Sequence, residues 1–234
     1  MKALLINGSP RPNGCTFTAL TELANTLEAE GIETEIVHVG NKDIRGCIAC
    51  RRCHSTGSNK CVFDDIVNEV APKLAEADAF VIGAPVYFGS PAGGAISFMD
   101  RLFFSTLNID KTMKVGASVV TCRRGGNTAS YDVLNKYFTM CGMPVASSQY
   151  WNMVYGGSAE EVKKDAEGLQ TMRTLGRNMA FFDEEYPDRQ ATDRPARKRT
   201  CCLHKLPSLR KCSIFLLLCC RESRDGNVPA FPFP

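Results

Sequence analysis

Apolar, β-rich runs recur at residues 3–7, 34–39, 79–83, 115–121 and 144–150. Between them stand stretches with the apolar period of a helix, at 18–30, 64–77, 95–104 and 128–141, and a fifth helical pattern covers 159–182. Five strands alternating with five helices predict a doubly wound α/β domain around a five-stranded parallel sheet. Leu4-Leu5-Ile6 and Phe80-Val81-Ile82 are apolar without alternation, as expected of strands covered by helices on both faces. With strand order 2-1-3-4-5, ligands sit at the carboxyl ends of the first and third strands, where the winding reverses. The loops at Ser9 and Pro85 are therefore expected to face each other.

The periodicity stops near residue 183. Residues 1–182 read as one domain, and 183–234 as an atypical, disordered extension that clusters Arg, Pro and Cys and carries no site. The charge divides the same way. Residues 1–182 hold 18 Lys and Arg against 18 Asp and Glu, whereas 183–234 hold 10 against 7, so the net +3 belongs to the extension. A neutral body offers no concentrated basic face for nucleic acid. No signal peptide follows Lys2, and the apolar run at 214–220 is too short to span a bilayer, which predicts a cytoplasmic protein without a membrane partner.

Three loops carry candidate chemistry. Gly8-Ser9-Pro10-Arg11-Pro12-Asn13-Gly14-Cys15-Thr16 joins the first strand to a helix. Strand, polar loop and helix together present backbone N–H groups and a helix N-terminus to an anionic group such as phosphate, and short side chains add donors. The dinucleotide G-x-G-x-x-G and the Gly-Lys-Ser/Thr of a P-loop are both missing. After the third strand, Pro85, Val86, Tyr87, Phe88 and Gly89 combine a stiff backbone with flat apolar rings, which suits a planar guest. After the fourth, Cys122, Arg123, Gly125 and Gly126 offer backbone N–H groups and a cation to a carbonyl edge. The blander readings are a well-capped βα turn, aromatics filling a core, and solvated arginines.

Twelve cysteines in a chain of cytosolic character argue for thiols or metal ligands rather than a disulfide framework. Four of them form Cys47-x2-Cys50-x2-Cys53-x7-Cys61. Thiolates three residues apart, twice in succession, match ferredoxin-like cluster binding better than structural zinc, which more often pairs two separated knuckles. Buried free thiols are the third reading. His38, His54 and His204 assemble no catalytic dyad, Asp64 and Asp65 suit a helix start, and Trp151 with Tyr150 shields a ligand or packs.

The chain resembles the NADPH-dependent FMN reductase and iron–sulfur flavoprotein family of flavodoxin-like proteins. The resemblance rests on NGSPRPNGCT at 7–16, the cysteine group, APVYFGSPAG at 84–93, FMDR at 98–101 and TCRRGGNT at 121–128. It implies noncovalent FMN, with phosphate at Ser9, Arg11, Asn13, Cys15 and Thr16 and the isoalloxazine between 85–89 and 122–126. It also implies NAD(P)H as electron donor, a small-molecule or protein electron acceptor, and, in iron–sulfur flavoproteins, a [4Fe–4S] cluster on Cys47, Cys50, Cys53 and Cys61. Cys15 stands where many relatives carry a small polar residue. A homodimer or higher homo-oligomer is expected from Ile96, Phe98, Met99, Leu102, Phe103 and Phe104, more apolar surface than one helix face needs.

Overall fold

The computed structural model describes residues 1–185. The strands are β1 (Lys2–Asn7), β2 (Glu33–His38), β3 (Ala79–Tyr87), β4 (Ser90–Pro91), β5 (Val115–Cys122) and β6 (Met153–Tyr155). The helices are α1 (Cys15–Ala29), α2 (Arg52–Ser55), α3 (Ile66–Glu76), α4 (Gly93–Ser105), α5 (Asn127–Met140), α6 (Ala159–Val162) and α7 (Ala166–Glu185). β2, β1, β3, β5 and β6 lie side by side in that order, all parallel, as the alternating pattern predicts.

Alternation along each strand divides the core between two faces. Leu4, Ile6, Phe80 and Ile82 point to one, where they meet Val70 and Leu74 of α3, Phe98 and Leu102 of α4, and Phe138 of α5. Leu5, Val81, Ala117 and Val119 point to the other, against Leu20 and Leu23 of α1 and Leu175 and Met179 of α7. Both faces are covered, which is why these strands carry unbroken apolar runs.

The structure differs from the sequence expectations in four places. The fifth parallel strand is expected at 144–150, but that segment makes only one bridge, Val145 to Gly116, and the chain rejoins the sheet at Met153. Ser148 Oγ bonds the carbonyl of Tyr150 at 2.6 Å and Oδ1 of Asn152 at 2.9 Å, side-chain alternatives that compete with the ladder. The second difference is in the helix expected over 159–182, which breaks after Val162. Asp165 there accepts from the N–H of Gly168 and of Tyr155 and restarts it as α7. Third, β3 runs on to Tyr87 and folds back through β4, a hairpin that the apolar run at 79–83 does not announce. Fourth, the apolar surplus of α4 is not left for a partner: Phe98, Met99, Leu102 and Phe103 are buried within the chain, and Phe104 packs its ring edge-on to His54 at 4.5 Å. The argument for a dimer through this helix thereby loses its premise. The extension expected from 183 falls outside the described residues, apart from the last turn of α7.

Candidate functional site at the carboxyl end of the sheet

Five loops meet at the carboxyl ends of the parallel strands. Gly8 N donates to the carbonyl of Gly83 at 2.8 Å, joining the loop after β1 to β3. Cys15 Sγ donates to the carbonyl of Gly156 at 3.4 Å, and Gly156 N to that of Cys122 at 3.0 Å, which ties α1 and β6 to the end of β5. Gly126, at φ 94°, packs so closely on the β3–β4 hairpin that a Cβ would lie 2.7 Å from Cα of Gly89 and 2.8 Å from Cγ1 of Val86. The stretches 85–89 and 122–126 are thus in direct contact, where the sequence reading expects a ligand ring between them.

The loop after β1 is organised by a residue the sequence reading does not single out. Asn7, wholly buried, accepts the N–H of Ser9 at 3.1 Å and donates to the carbonyl of Pro12 at 3.1 Å. Its signal is a polar side chain closing an otherwise apolar strand. His38, at the end of β2, bonds the Ser9 carbonyl through Nε2 at 2.7 Å; a carbonyl only accepts, so Nε2 carries the proton and the histidine has a loop-holding role. Ser9 Oγ accepts the N–H of Arg11 at 3.2 Å, while Arg11 and Asn13 stand exposed at the rim. Thr16 is turned inward. It is fully buried, with Oγ1 2.8 Å from Oγ1 of Thr121, so its hydroxyl latches α1 to β5 rather than facing the loop.

The helix ends differ, and apart from the four-residue α2 on the cysteine loop, which also lacks a side-chain cap, they follow position. Asp65 caps α3 and Ser158 caps α6 with their side chains, and both helices carry acidic residues in the first turn. The helices α1, α4 and α5, which begin at this site, have no side-chain cap and no acidic residue in the first turn. Their N-terminal N–H groups and positive dipole ends stay free for an anionic ligand. Ser130 Oγ, buried in the first turn of α5, also has no hydrogen-bond partner, and Asn127 Nδ2 has none but the weakly accepting Cys122 thiol beside it. An unpaired buried polar group costs about 1–3 kcal/mol, a cost a ligand carbonyl at this end would remove. Burial pushes the Cys122 and Cys15 thiols up from their ordinary value, so neither is an activated nucleophile.

At the hairpin tip, Phe88 and Gly89 both have positive φ, 51° and 76°, the two-residue type I′ turn. A phenylalanine there costs roughly 1–2 kcal/mol, and Phe88 recovers none of it by packing, since its ring is wholly exposed beside half-exposed Tyr87. Arg123 and Arg124 are exposed, and the stem of Arg123 runs beside Gly157.

The cysteine group lies on the loop after β2. Cys47, Cys50, Cys53 and Cys61 all line one pocket, floored by Arg101 and Phe104 of α4, and none is in a disulfide. Left-handed Ala49, Arg51, Gly57 and Asn59 turn the loop around that pocket. Burial raises the Cys53 thiol from its ordinary value, and the neighbouring Cys61, Cys50 and Cys47 raise it further. No three His, Cys, Asp or Glu side chains among the described residues gather tightly enough to hold a single metal ion.

With this geometry in place the comparisons are decisive for kinship. The model of the NADPH-dependent FMN reductase family matches residues 1–157. The chain belongs to the NADPH-dependent FMN reductase family. An iron–sulfur flavoprotein of Methanocaldococcus jannaschii is 34% identical over 187 residues, covering 77% of this chain and 96% of that protein. One of Methanosarcina thermophila is 28% identical over 183 residues, covering 76% and 93%. Among solved structures, a flavodoxin, WrbA-like protein from Agrobacterium tumefaciens superposes with a TM-score of 0.53 at 15% identity, covering 79% of this chain and 98% of that one, a likeness of fold. The flavodoxin-like expectation is therefore borne out, and this family member carries its free helix ends where that fold reverses its winding.

Proposed function

We propose that this chain is an FMN-dependent NAD(P)H oxidoreductase that passes electrons from a nicotinamide through bound FMN to a quinone, a nitro or azo compound, free flavin or a protein acceptor. The observation that carries the reading is the contrast in helix ends: three uncapped, acid-free N-termini converge where the loops at 9–16, 85–89 and 122–126 meet. FMN would supply hydride acceptance and electron release, the chemistry no side chain here provides. The phosphate is assigned to Ser9, to Arg11 and Asn13 at the rim, and to the N–H groups of Cys15 and Thr16. The ring is assigned to the surface where Pro85–Gly89 and Cys122–Gly126 meet, with the Gly125 and Gly126 N–H groups and Asn127 toward its polar edge and Tyr87 and Phe88 toward its plane. Arg123 is assigned the role of steadying negative charge on the reduced ring.

The cysteine pocket favours a more specific version, in which electrons also cross a [4Fe–4S] cluster held by Cys47, Cys50, Cys53 and Cys61. Four thiols that ring one pocket suit a group with a ligand at each of four corners, and the relatives named above are iron–sulfur flavoproteins. One helix connects the two regions: Gly94 of α4 lies by Gly40 near the first loop, and Arg101, seven residues on and about 11 Å along the axis, floors the pocket.

The test is protein purified without oxygen. A flavin spectrum and steady-state NADPH oxidation with menadione or ferricyanide are expected. Bound FMN with negligible oxidation would instead identify an electron carrier needing a separate reductase. Iron and acid-labile sulfide near four each per chain are expected, whereas neither, with normal turnover, would leave the cysteines as thiols.

A further inference from the structure

Arg101 is the largest fully buried side chain among the described residues, in a body whose other arginines lie at the surface. Its Nη1 and Nη2 hold Asp65 in a two-point ion pair, at 2.5 and 2.9 Å, and Nη2 also donates to the carbonyl of Phe63 at 3.2 Å. The Phe63 ring lies beside it at 5.1 Å, with Arg45 at 4.7 Å from the same ring. These contacts would suffice to anchor the loop. The remaining donor, Nε, is directed elsewhere, at Sγ of Cys61, 3.3 Å away.

That direction is informative. A neutral thiol is a weak acceptor, so a buried cationic N–H aimed at it returns little. A thiolate is a strong one, and metal binding imposes the thiolate form. We infer that Arg101 sets the reduction potential of the cluster through its charged N–H···S bond to Cys61, an inference that rests on the cluster reading above. A hydrogen bond to a ligand sulfur and a fixed positive charge beside it both stabilise the state holding the extra electron, and both raise the potential. Asp65 opposes this by compensating the charge. The two residues should therefore move the potential in opposite directions, which a merely structural clamp cannot do.

The experiment uses the full chain purified without oxygen, as wild type, Arg101→Gln, Arg101→Lys and Asp65→Asn; Asn keeps the helix cap of α3. Iron, sulfide, FMN content and melting temperature are measured first, then the cluster midpoint by redox titration followed optically and by electron paramagnetic resonance. Arg101→Gln is expected to cut the reduced-to-oxidised ratio about tenfold at fixed ambient potential, a fall of about 59 mV for a one-electron couple. Asp65→Asn is expected to raise the midpoint, with the FMN midpoint unmoved in both. Should Arg101→Gln not fold, Arg101→Lys, which keeps the charge and withdraws Nε, decides by a smaller fall. A loaded Arg101 variant with the wild-type midpoint overturns the inference while leaving the cluster reading intact, as do Arg101 and Asp65 variants that shift it the same way. Wild type without iron and sulfide overturns both.

Discussion

Replacing Gly126 by alanine tests the contact on which the proposed ring site depends. The new Cβ would stand 2.7 Å from Cα of Gly89 and 2.8 Å from Cγ1 of Val86, so the two loops must part by about 0.7 Å to regain the ~3.5 Å of ordinary carbon–carbon contact. The residue also sits at φ 94°, where an L side chain costs roughly 1–2 kcal/mol, and overpacking adds about 1–3 kcal/mol. The sum, about 2–5 kcal/mol, corresponds to a fall in melting temperature of roughly 4–20 °C at 2–4 °C per kcal/mol. The two loops assigned to the ring are pushed out of register, so FMN affinity, read by quenching of flavin fluorescence in titrations of the apoprotein, is expected to drop at least tenfold. Gly125→Ala is the internal control: no atom lies within 4 Å of its Cβ position and its φ is not positive, so its effect should stay within about 0.5 kcal/mol. Wild-type affinity and melting temperature in Gly126→Ala would refute the contact between 86–89 and 126, and equal losses in both variants would refute the steric reasoning.

Other expectations separate binding from folding. Ser9→Ala removes a hydroxyl assigned to the phosphate, so FMN affinity should fall about tenfold, from roughly 1.5–3 kcal/mol for a hydrogen bond to a charged group, with little change in melting temperature. Thr16→Ala orphans the Thr121 hydroxyl instead, and should lower thermal stability by about 1–3 kcal/mol with a smaller effect on affinity. Tyr137 is held above its ordinary value of 10.0 by burial and then by its bond to Asp100. The unfolded phenol therefore ionises first, its stabilising contribution is complete below pH 10 and is lost as pH rises above it, and Tyr137→Phe should flatten the fall of melting temperature above pH 10. Truncation after Glu185 should preserve FMN content and melting temperature, because every loop assigned to the ligand precedes that residue.

Continuous apolar runs with helical periods between them carried the fold, because a parallel sheet buried on both faces leaves no other pattern. Where the polar content rose, the reading slipped: Ser147 and Ser148 sit in a β-looking segment, yet Ser148 bonds its own neighbourhood and the ladder resumes only at Met153. The three loops assigned to the ligand were legible as turns from Gly, Pro and polar residues placed after apolar runs. That the Thr16 hydroxyl is committed elsewhere was not, since Ser9 and Thr16 look alike in sequence and only the packing of α1 on β5 turns Thr16 toward Thr121.

The same limit applies most strongly to Arg101. In sequence it stands only within the FMDR stretch at 98–101, with no role of its own to read from the pattern. Its burial is decided by residues far along the chain: Asp65, 36 positions earlier, supplies the counter-charge, and Cys61, 40 positions earlier, lies against Nε. A buried guanidinium needs such partners, because the desolvation of an unpaired charge would exceed any packing gain. The ion pair answers the desolvation but does not dictate where Nε points. A loop that needed only an anchor could have used an apolar side chain at this position without that cost, so the retained cation and its aim at sulfur are the features that tie α4 to the chemistry of the cysteine pocket.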